Sequence, residues 1–200
     1  MIANHQFERI LIDKSAVDRL ENEILITRHI ERYALVRKFA YGRVLDVACG
    51  VGYGTYLVAK NPDVKMITGV DLDKNSVEWA INNFNGKNIQ FQCNTIENLH
   101  EEYDVLISLE TIEHLQNPKI LGELAKRCKI KEVIISFPHK KTTHYNPYHL
   151  WDIEEKDILV IFNEYICINK FYSGDSTFMH LIYWHRNKTP RKKYLETRSN

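Results

Sequence analysis

The sequence predicts an α/β fold built on a mostly parallel seven-stranded sheet, with helices on both faces and an antiparallel hairpin at its C-terminal end. Two observations predict it. From residue 43 onward, short apolar runs alternate with amphipathic stretches, a pattern that forms right-handed βαβ units around a parallel sheet. The last third instead has two strand-like segments, 164–172 and 177–184, on either side of Ser173-Gly174-Asp175-Ser176, which is a hairpin signal.

The individual elements follow from hydrophobic periodicity. Residues 1–41 are predicted to form a helical cap, because their apolar residues recur at three- and four-residue steps and Gly42 has the position of a helix C-terminal glycine. Residues 42–184 form the core of a single domain, and the basic, polar residues 185–200 form a solvated tail. Strands are predicted at 44–48, 66–70, 89–93, 105–109 and 133–137, and helices at 56–60, 75–84 and 120–128.

Composition is that of one ordinary globular domain, with 200 residues, of which 44% are hydrophobic and 26% charged. The net charge of +1 offers no global field for nucleic acid, and no apolar run approaches the roughly 20 residues of a membrane helix. The N-terminus lacks a signal-peptide pattern, and the four cysteines form no C-x-x-C pair. We therefore expect a cytoplasmic protein with reduced thiols and no membrane or nucleic-acid partner. The oligomeric state stays open.

The strongest local motif is the glycine-rich run Asp46-Val47-Ala48-Cys49-Gly50-Val51-Gly52. It lies where a strand passes into a helix, which is where open α/β sheets bind ligands. Asp71 follows at the end of the next strand, where a carboxylate can accept hydrogen bonds from both hydroxyls of a ribose. A dinucleotide-binding G-x-G-x-x-G motif needs its third glycine one position after Gly54. The acidic Asp46 suits a cationic ligand better than a pyrophosphate, so a sulfonium cofactor that carries an amino group fits best.

This run resembles the first motif of class I S-adenosyl-L-methionine-dependent methyltransferases, in the variant where alanine replaces the first glycine. Three later segments resemble the family's following motifs in order: Gly69-Val70-Asp71-Leu72-Asp73, Asn94-Thr95-Ile96-Glu97 and the segment from Tyr103 to Glu110. The resemblance implies a Rossmann-like fold, S-adenosyl-L-methionine as cofactor and S-adenosyl-L-homocysteine as product.

The resemblance also implies the cofactor contacts. The 94–96 segment would border the adenine, although the family usually has an aspartate where Asn94 stands, and the end of the fourth strand would lie under the methionine part. Upstream, His29-Ile30-Glu31-Arg32-Tyr33 resembles the capping helix of bacterial small-molecule and glycan-pathway methyltransferases, so Tyr33 is either a cofactor contact or a core aromatic. The expected cofactor residues are Tyr33, Asp46, Ala48, Gly50, Gly52, Asp71, Leu72, Asn94, Thr95, Ile96, Leu109 and Glu110.

Acidic and histidine residues follow the fourth and fifth strands. Glu110-Thr111-Ile112-Glu113-His114 comes first, and a loop containing His139, His144 and His149 comes later. Methyl transfer is an in-line displacement, so an enzyme mainly aligns the nucleophile, the methyl group and the sulfur. A hydroxyl nucleophile also needs a base, which a histidine can provide. The expected catalytic residues are His114, His149 and Glu113.

Two other interpretations of these residues stay open. Glu110, Glu113, His114 and His149 resemble the ligand set of metal-dependent small-RNA 2′-O-methyltransferases. However, the same E-x-x-E-H segment occurs in ubiquinone-pathway-type enzymes without such a site, and the chain leaves no room for an RNA-binding module, so we expect no metal. In the other interpretation the residues are structural, with the glutamates capping a short helix.

The expected function is methylation of a small-molecule acceptor at an oxygen or nitrogen, such as a sugar, a nucleotide-linked or a phosphorylated metabolite. The alternatives are a metal-dependent RNA 2′-O-methyltransferase and a catalytically inactive methyltransferase-fold subunit that serves as a partner.

Overall fold

The structure is a computed structural model that describes residues 13–173 and 178–185. Residues 1–12 of the predicted cap, the 174–177 part of the hairpin turn and the predicted tail from residue 186 onward lie outside the described residues. In the described residues, single-turn 3₁₀ helices occur at Ile96–Asn98 and Ile112–His114. The helices and strands are α1 Lys14–Val36, β1 Gly42–Val47, α2 Tyr53–Ala59, β2 Val64–Asp71, α3 Lys74–Asn83, β3 Ile89–Cys93, β4 Val105–Leu109, α4 Ile120–Arg127, β5 Glu132–Pro138, α5 Glu155–Ile161, β6 Tyr165–Ser173 and β7 Phe178–His185.

The strands form one sheet in the order β3-β2-β1-β4-β5-β7-β6. Strands β1 to β5 pair in parallel, whereas β7 is antiparallel to both β5 and β6. The predicted α/β class and mostly parallel sheet are confirmed. The chain builds outward from β1 to β3 and then returns to place β4 on the other side of β1. At such a reversal of strand order, a crevice opens outside the carboxyl ends of the strands.

Both faces of the central strands are covered. All residues of β4 and β5 are buried. Their side chains point alternately to the two faces of the sheet, and helices cover each face. Leu106 packs in the cluster formed with α4 and α5, and its neighbours Val105 and Ile107 pack in the cluster formed with α1 and α2. Burial on both faces explains why these strands read as continuous apolar runs.

Two details of the sequence prediction were wrong. Helix α1 ends at Val36, and Gly42 begins β1 with a φ of 63° instead of terminating the helix. A Cβ there would overlap the Asp104 carboxylate, which accepts a hydrogen bond from the Arg43 N–H at 2.9 Å. Helix α5 was not predicted at all. It begins with a capping box between Glu154 and Asp157, in which each side chain accepts from a backbone N–H of the first turn.

Among the described residues, no helix combines the length and the apolarity that crossing a membrane requires. All four cysteines lie in the described part of the chain, and all are free thiols. Cys49 and Cys128 are buried, whereas Cys93 is exposed. The fold of the described residues therefore does not depend on a disulfide.

Helix α1 packs on the sheet where Gly54 leaves room for it. The Tyr33 ring, only 7% exposed, lies over Gly54, and a Cβ at that glycine would overlap the ring. Tyr33 also packs edge-to-face on Tyr53 with ring centroids 5.7 Å apart, and its hydroxyl donates to Asp46 Oδ1 at 3.3 Å. The third glycine of the motif therefore comes early because it accommodates a tyrosine.

Replacement of Gly54 tests this packing. Alanine is favoured over glycine inside a helix by up to about 1 kcal/mol, but forcing an extra methyl into a packed site costs about 1–3 kcal/mol. We expect Gly54→Ala to lower the free energy of unfolding by about 1–2 kcal/mol in urea denaturation. Gly86→Ala is the control, since its Cβ would meet only the end of the Ile89 side chain, at 3.0 Å. A Gly54→Ala protein as stable as the wild type would contradict the assigned contact.

Candidate active site

A cavity of about 200 Å³ opens at the carboxyl ends of β1 and β4, between these strands and helix α1. It lies at the point of strand reversal, as the fold class predicts. Five of the predicted cofactor residues line this cavity: Tyr33, Ala48, Gly50, Leu109 and Glu110.

The turn between β1 and α2 is built from residues in the left-handed region of φ. Ala48, Gly50 and Gly52 have φ values of 57°, 54° and 86°, and this region is unfavourable for residues that carry a Cβ. The two glycines serve different purposes. A Cβ at Gly50 would meet nothing within 4 Å, whereas one at Gly52 would lie 2.6 Å from the Ala80 Cβ. Gly50 thus leaves open space on the ligand side, and Gly52 allows α3 to pack.

Asp71 is held beside this turn by backbone donors. Its Oδ2 accepts from the Gly50 N–H at 2.8 Å, and its Oδ1 accepts from the Asp73 N–H at 2.9 Å. Because each carboxylate oxygen has a second lone pair, the side chain can still accept hydrogen bonds from two ribose hydroxyls. Leu72, the next residue, is 71% exposed at the same edge of the sheet.

The segment predicted to border the adenine is attached to the same edge. The Asn94 N–H donates to the Asp71 carbonyl at 3.1 Å, and Asn94 Oδ1 accepts from the Thr95 N–H at 2.9 Å. Ile96 begins the 3₁₀ helix and packs against the core. The two segments predicted to bind adenosine are therefore adjacent in the fold.

Asp46 lies beneath the cavity instead of in its wall. It is fully buried and accepts hydrogen bonds from Thr55 Oγ1 at 2.6 Å and from the Tyr33 hydroxyl. Burial raises the pKa of this carboxyl to about 7, and the Asp71 charge adds to the increase, while the two hydrogen bonds oppose it. The sequence suggested that Asp46 binds the cationic ligand directly. In the structure it contacts the side chains of α1 and α2.

A second cavity, of about 770 Å³, adjoins the first. It is lined by α1, by residues 110–114 and by the loop 138–149 that follows β5. His29, Arg32 and Glu110 line both cavities. The three predicted catalytic residues, Glu113, His114 and His149, all line the second cavity, although His114 and His149 are far apart in the chain.

Glu113, His114 and His149 form a close cluster there. One nitrogen or carboxylate oxygen atom of each residue lies within 4.8 Å of those of the other two, and the two imidazole rings meet edge-to-face with centroids 4.7 Å apart. His114 Nδ1 lies 2.8 Å from the Tyr148 carbonyl oxygen, and His149 Nδ1 lies 2.5 Å from Thr142 Oγ1. Glu113 is 1% exposed, and neither of its carboxylate oxygens has a hydrogen-bond partner among the described residues.

The two glutamates of the cavity are in different environments. Glu110 is partly buried and accepts a hydrogen bond from the Ser136 hydroxyl at 2.6 Å. Burial raises the pKa of both carboxyls, to about 8 for Glu113, whose pKa the neighbouring Glu110 charge raises further. The Arg32 charge acts in the opposite direction on both pKa values.

Arg32 is the main residue that sequence reasoning missed. It is only 5% exposed and lines both cavities. Charged side chains are rarely buried unless they pair with an opposite charge, so a buried arginine at a cavity wall is a candidate ligand-binding residue. Its one signal in the sequence is its place in the capping-helix segment, directly before Tyr33. Two other histidines of the 138–149 loop are not brought to the cluster, since His139 packs on Tyr172 and His144 on Tyr145.

Residues 44–130 match a protein family described as "Methyltransferase domain". The malonyl-[acyl-carrier protein] O-methyltransferase of Bacillus cereus is 32% identical over 150 residues, which are 72% of this chain and 54% of that protein. The magnesium protoporphyrin IX methyltransferase of Synechocystis PCC 6803, solved with bound S-adenosylhomocysteine, superposes with a TM-score of 0.65 at 18% identity and 90% coverage of both chains. Residues 44–130 of this chain are therefore a methyltransferase domain, and the fold is that of class I S-adenosylmethionine-dependent methyltransferases.

The domain assignment confirms the predicted family and its cofactor, S-adenosylmethionine. A second relative, phosphoethanolamine N-methyltransferase 1 of Triticum aestivum, is 37% identical over 84 residues, which are 40% of this chain and 17% of that protein. Both curated relatives are longer than this chain, which spans only 54% of the Bacillus cereus protein. One relative is an O-methyltransferase and the other an N-methyltransferase, so their names do not choose between the two nucleophiles.

The raised pKa of Asp46 has a measurable consequence for stability. Between about pH 4 and pH 7 the unfolded chain releases the Asp46 proton while the folded chain retains it, so the free energy of unfolding falls as the pH rises. Asp46→Asn removes this contribution. We expect the stability of the variant relative to wild type to increase by about 1–3 kcal/mol from pH 5 to pH 7.5 in urea denaturation.

Comparison with the wild type cancels the contributions of the other buried carboxyls. The control is Asp18→Asn, at an exposed position on α1, which should follow the wild-type pH dependence. Parallel curves for Asp46→Asn and the wild type would show that Asp46 is ionised in the folded protein.

Proposed function

We propose that this chain transfers a methyl group from S-adenosylmethionine to a small-molecule acceptor, at an oxygen or nitrogen nucleophile, bound in the 770 Å³ cavity. The observation that carries the proposal is the junction of the two cavities at His29, Arg32 and Glu110. A donor in the smaller cavity and an acceptor in the larger one would meet there. A cavity of this volume suits a metabolite.

The residues around the smaller cavity fit the cofactor. Asp71 is positioned to accept from the ribose, and Leu72 and the 94–96 segment provide an edge for the adenine. The methionine part carries a carboxylate, for which Arg32 is the buried cationic partner, since the guanidinium forms two parallel hydrogen bonds with a carboxylate. Its amino group is cationic, as is the sulfonium, and Glu110 provides a carboxylate at the same wall.

The cofactor supplies an electrophilic methyl group, so this chain has to orient the acceptor and keep its nucleophile uncharged or deprotonated. Positioning of this kind supplies roughly 7–11 kcal/mol. Burial lowers the pKa of His149 below its usual value, and the neighbouring His114 charge lowers it further. A neutral imidazole at physiological pH can accept a proton from a hydroxyl. In the tautomer whose Nδ1–H donates to Thr142 Oγ1, Nε2 is the atom of His149 that accepts the proton.

The proposed function is tested by following the labelled methyl group. The protein is incubated with methyl-labelled S-adenosylmethionine and, in separate reactions, with nucleotide sugars, phosphorylated metabolites or RNA. We expect label on a small molecule. Label on RNA termini would instead support an RNA 2′-O-methyltransferase, and cofactor binding without transfer to any acceptor would support an inactive partner subunit.

Asp71→Asn tests the cofactor site by calorimetry with S-adenosylhomocysteine. The loss of hydrogen bonds to a charged acceptor costs about 1.5–3 kcal/mol, so we expect the dissociation constant to rise roughly 10- to 150-fold. Glu78→Gln, an exposed acid on α3, is the matched control and should leave binding unchanged. Unaltered binding by Asp71→Asn, or none by the wild type, would refute the assigned site.

Arg32→Met tests which part of the cofactor the guanidinium binds. We expect at least about tenfold weaker binding of S-adenosylhomocysteine, because a charge-assisted contact to the carboxylate is lost. Binding of 5′-methylthioadenosine, which lacks the amino-acid part, should be unchanged. Arg19→Met, an exposed arginine on the same helix, controls for loss of charge. Equal losses for the two ligands would place the effect of Arg32 elsewhere in the site.

A further inference from the structure

We propose that the methyl acceptor is an amphiphile, whose polar end binds in the larger cavity and whose apolar chain lies in a groove between α1 and the turn that follows β1. The nature of this occupant rests on the proposed function, because it treats the larger cavity as the acceptor site. The existence of the groove does not depend on that function.

The groove has a volume of about 400 Å³ and adjoins both cavities of the candidate active site. Leu25, Ile26 and Ile30 line it from α1, and Val51 lines it from the glycine turn. All four aliphatic side chains are exposed, and none belongs to an apolar cluster of the described residues. A contiguous exposed apolar surface is typical of a binding site, whereas a single exposed aliphatic side chain is not.

The groove exists because the apolar stripe of α1 is longer than the surface on which the helix packs. Ile26, Ile30, Tyr33 and Val36 follow one another at steps of four, three and three residues, which places them on one side of the helix. Tyr33 and Val36 are buried against the rest of the domain, whereas Ile26 and Ile30 are exposed. Such a stripe normally faces a hydrophobic core. In its N-terminal half this one faces the groove instead.

The groove is continuous with the place where donor and acceptor would meet. His29 and Tyr53 line both the groove and the smaller cavity, and His29 Nδ1 lies 2.8 Å from the Tyr53 hydroxyl oxygen. Leu25 and His29 line both the groove and the larger cavity. A chain attached to a ligand in the larger cavity would therefore enter the groove past Leu25 and His29.

The groove and the larger cavity differ in polarity. Arg28, Arg32 and Glu110 line the larger cavity, whereas no aspartate, glutamate, lysine or arginine of the described residues lines the groove. Burial lowers the pKa of His29, which favours its neutral form. A ligand that fills both spaces therefore needs a polar or charged end and an uncharged apolar end.

The cofactor does not account for the groove. The residues assigned to adenosine, which are Asp71, Leu72 and the 94–96 segment, do not line it. The methionine part carries a carboxylate, an amino group and a sulfonium, and charged groups are unfavourable in an apolar environment without partners. The groove is therefore left for the acceptor.

The inference is tested by calorimetry with straight-chain carboxylates from butanoate to decanoate, in the presence of S-adenosylhomocysteine. A carboxylate is chosen as the polar end because two arginines line the larger cavity. Since each buried methylene contributes to binding, we expect the dissociation constant to fall roughly two- to fourfold per added methylene until the groove is filled. Equal affinities for butanoate and decanoate would overturn the inference.

Ile26→Gln identifies the groove as the site of the chain. Glutamine is a good helix former, and the Ile26 side chain is 62% exposed, so the fold should tolerate it. We expect at least tenfold weaker binding of decanoate and unchanged binding of butanoate. Ile24→Gln is the matched control, since Ile24 is 52% exposed on the same helix but outside the groove, and it should bind both like the wild type. Equal effects of the two variants on decanoate would overturn the inference.

Two further measurements separate the possible failures. In sedimentation experiments, a wild-type dimer that Ile26→Gln but not Ile24→Gln dissociates would assign the groove to a second copy of the chain and overturn the inference. Methyl transfer to polar acceptors, without any dependence of binding on chain length, would support the proposed function and refute the groove. Chain-length dependence in a protein that transfers no methyl group would support the groove and refute the proposed function.

Discussion

The buried carboxyl of Asp46 connects the three elements on which the site depends. It lies on β1, accepts from Thr55 on α2 and accepts from Tyr33 on α1. Within a buried network each lost partner leaves a polar atom unsatisfied, so the three elements are coupled more strongly than a surface contact would couple them. Arg32 directly precedes Tyr33 on α1. The contact that fixes the tyrosine therefore also fixes the backbone position from which the Arg32 side chain reaches the wall of both cavities.

The site concentrates acidic side chains in a region that is largely shielded from solvent. Asp46, Glu110 and Glu113 all have pKa values raised by burial, and Arg32 is the cation that acts on the last two. Because a charged carboxylate is unfavourable in such a region, burial favours the protonated forms of these groups. A positively charged ligand bound among them would favour their charged forms and stabilise the folded state by mass action. The burial that raises these pKa values therefore also favours a positively charged ligand.

Hydrophobic periodicity was sufficient to place most of the sheet. The predicted bounds of β3 and β4 agree with the structure. In β4 the mostly apolar run Val105–Leu109 is flanked on each side by polar or charged residues, which defines both ends. The prediction failed where a tertiary contact decides the outcome. Gly42 is a glycine because of Asp104, more than 60 residues away in the chain, and not because a helix ends there. No local pattern contains that information.

The site was predictable to a similar extent. The proximity of the glycine turn and Asp71 was predictable, because motif spacing and the end of a strand together define their positions. The burial of Asp46 and the position of Arg32 were not, because both follow from how α1 lies across the sheet. Likewise, the sequence places His114 and His149 near two strand ends, but only the folded loop shows that both Nδ1 atoms are already engaged.

The two walls of the larger cavity differ in how firmly they are held. The loop after β5 is attached to the 110–115 segment by the contact of His114 with Tyr148, by the Leu150 N–H to the Glu113 carbonyl and by Trp151 Nε1 to the Leu115 carbonyl, each at 2.8 Å. Helix α1, by contrast, is buried only at Arg32, Tyr33 and Val36, all near its C-terminal end. Segments with few buried contacts open at the least free-energy cost. Passage of a ligand into or out of this cavity is therefore expected to involve movement of the N-terminal part of α1, while the histidine wall stays in place.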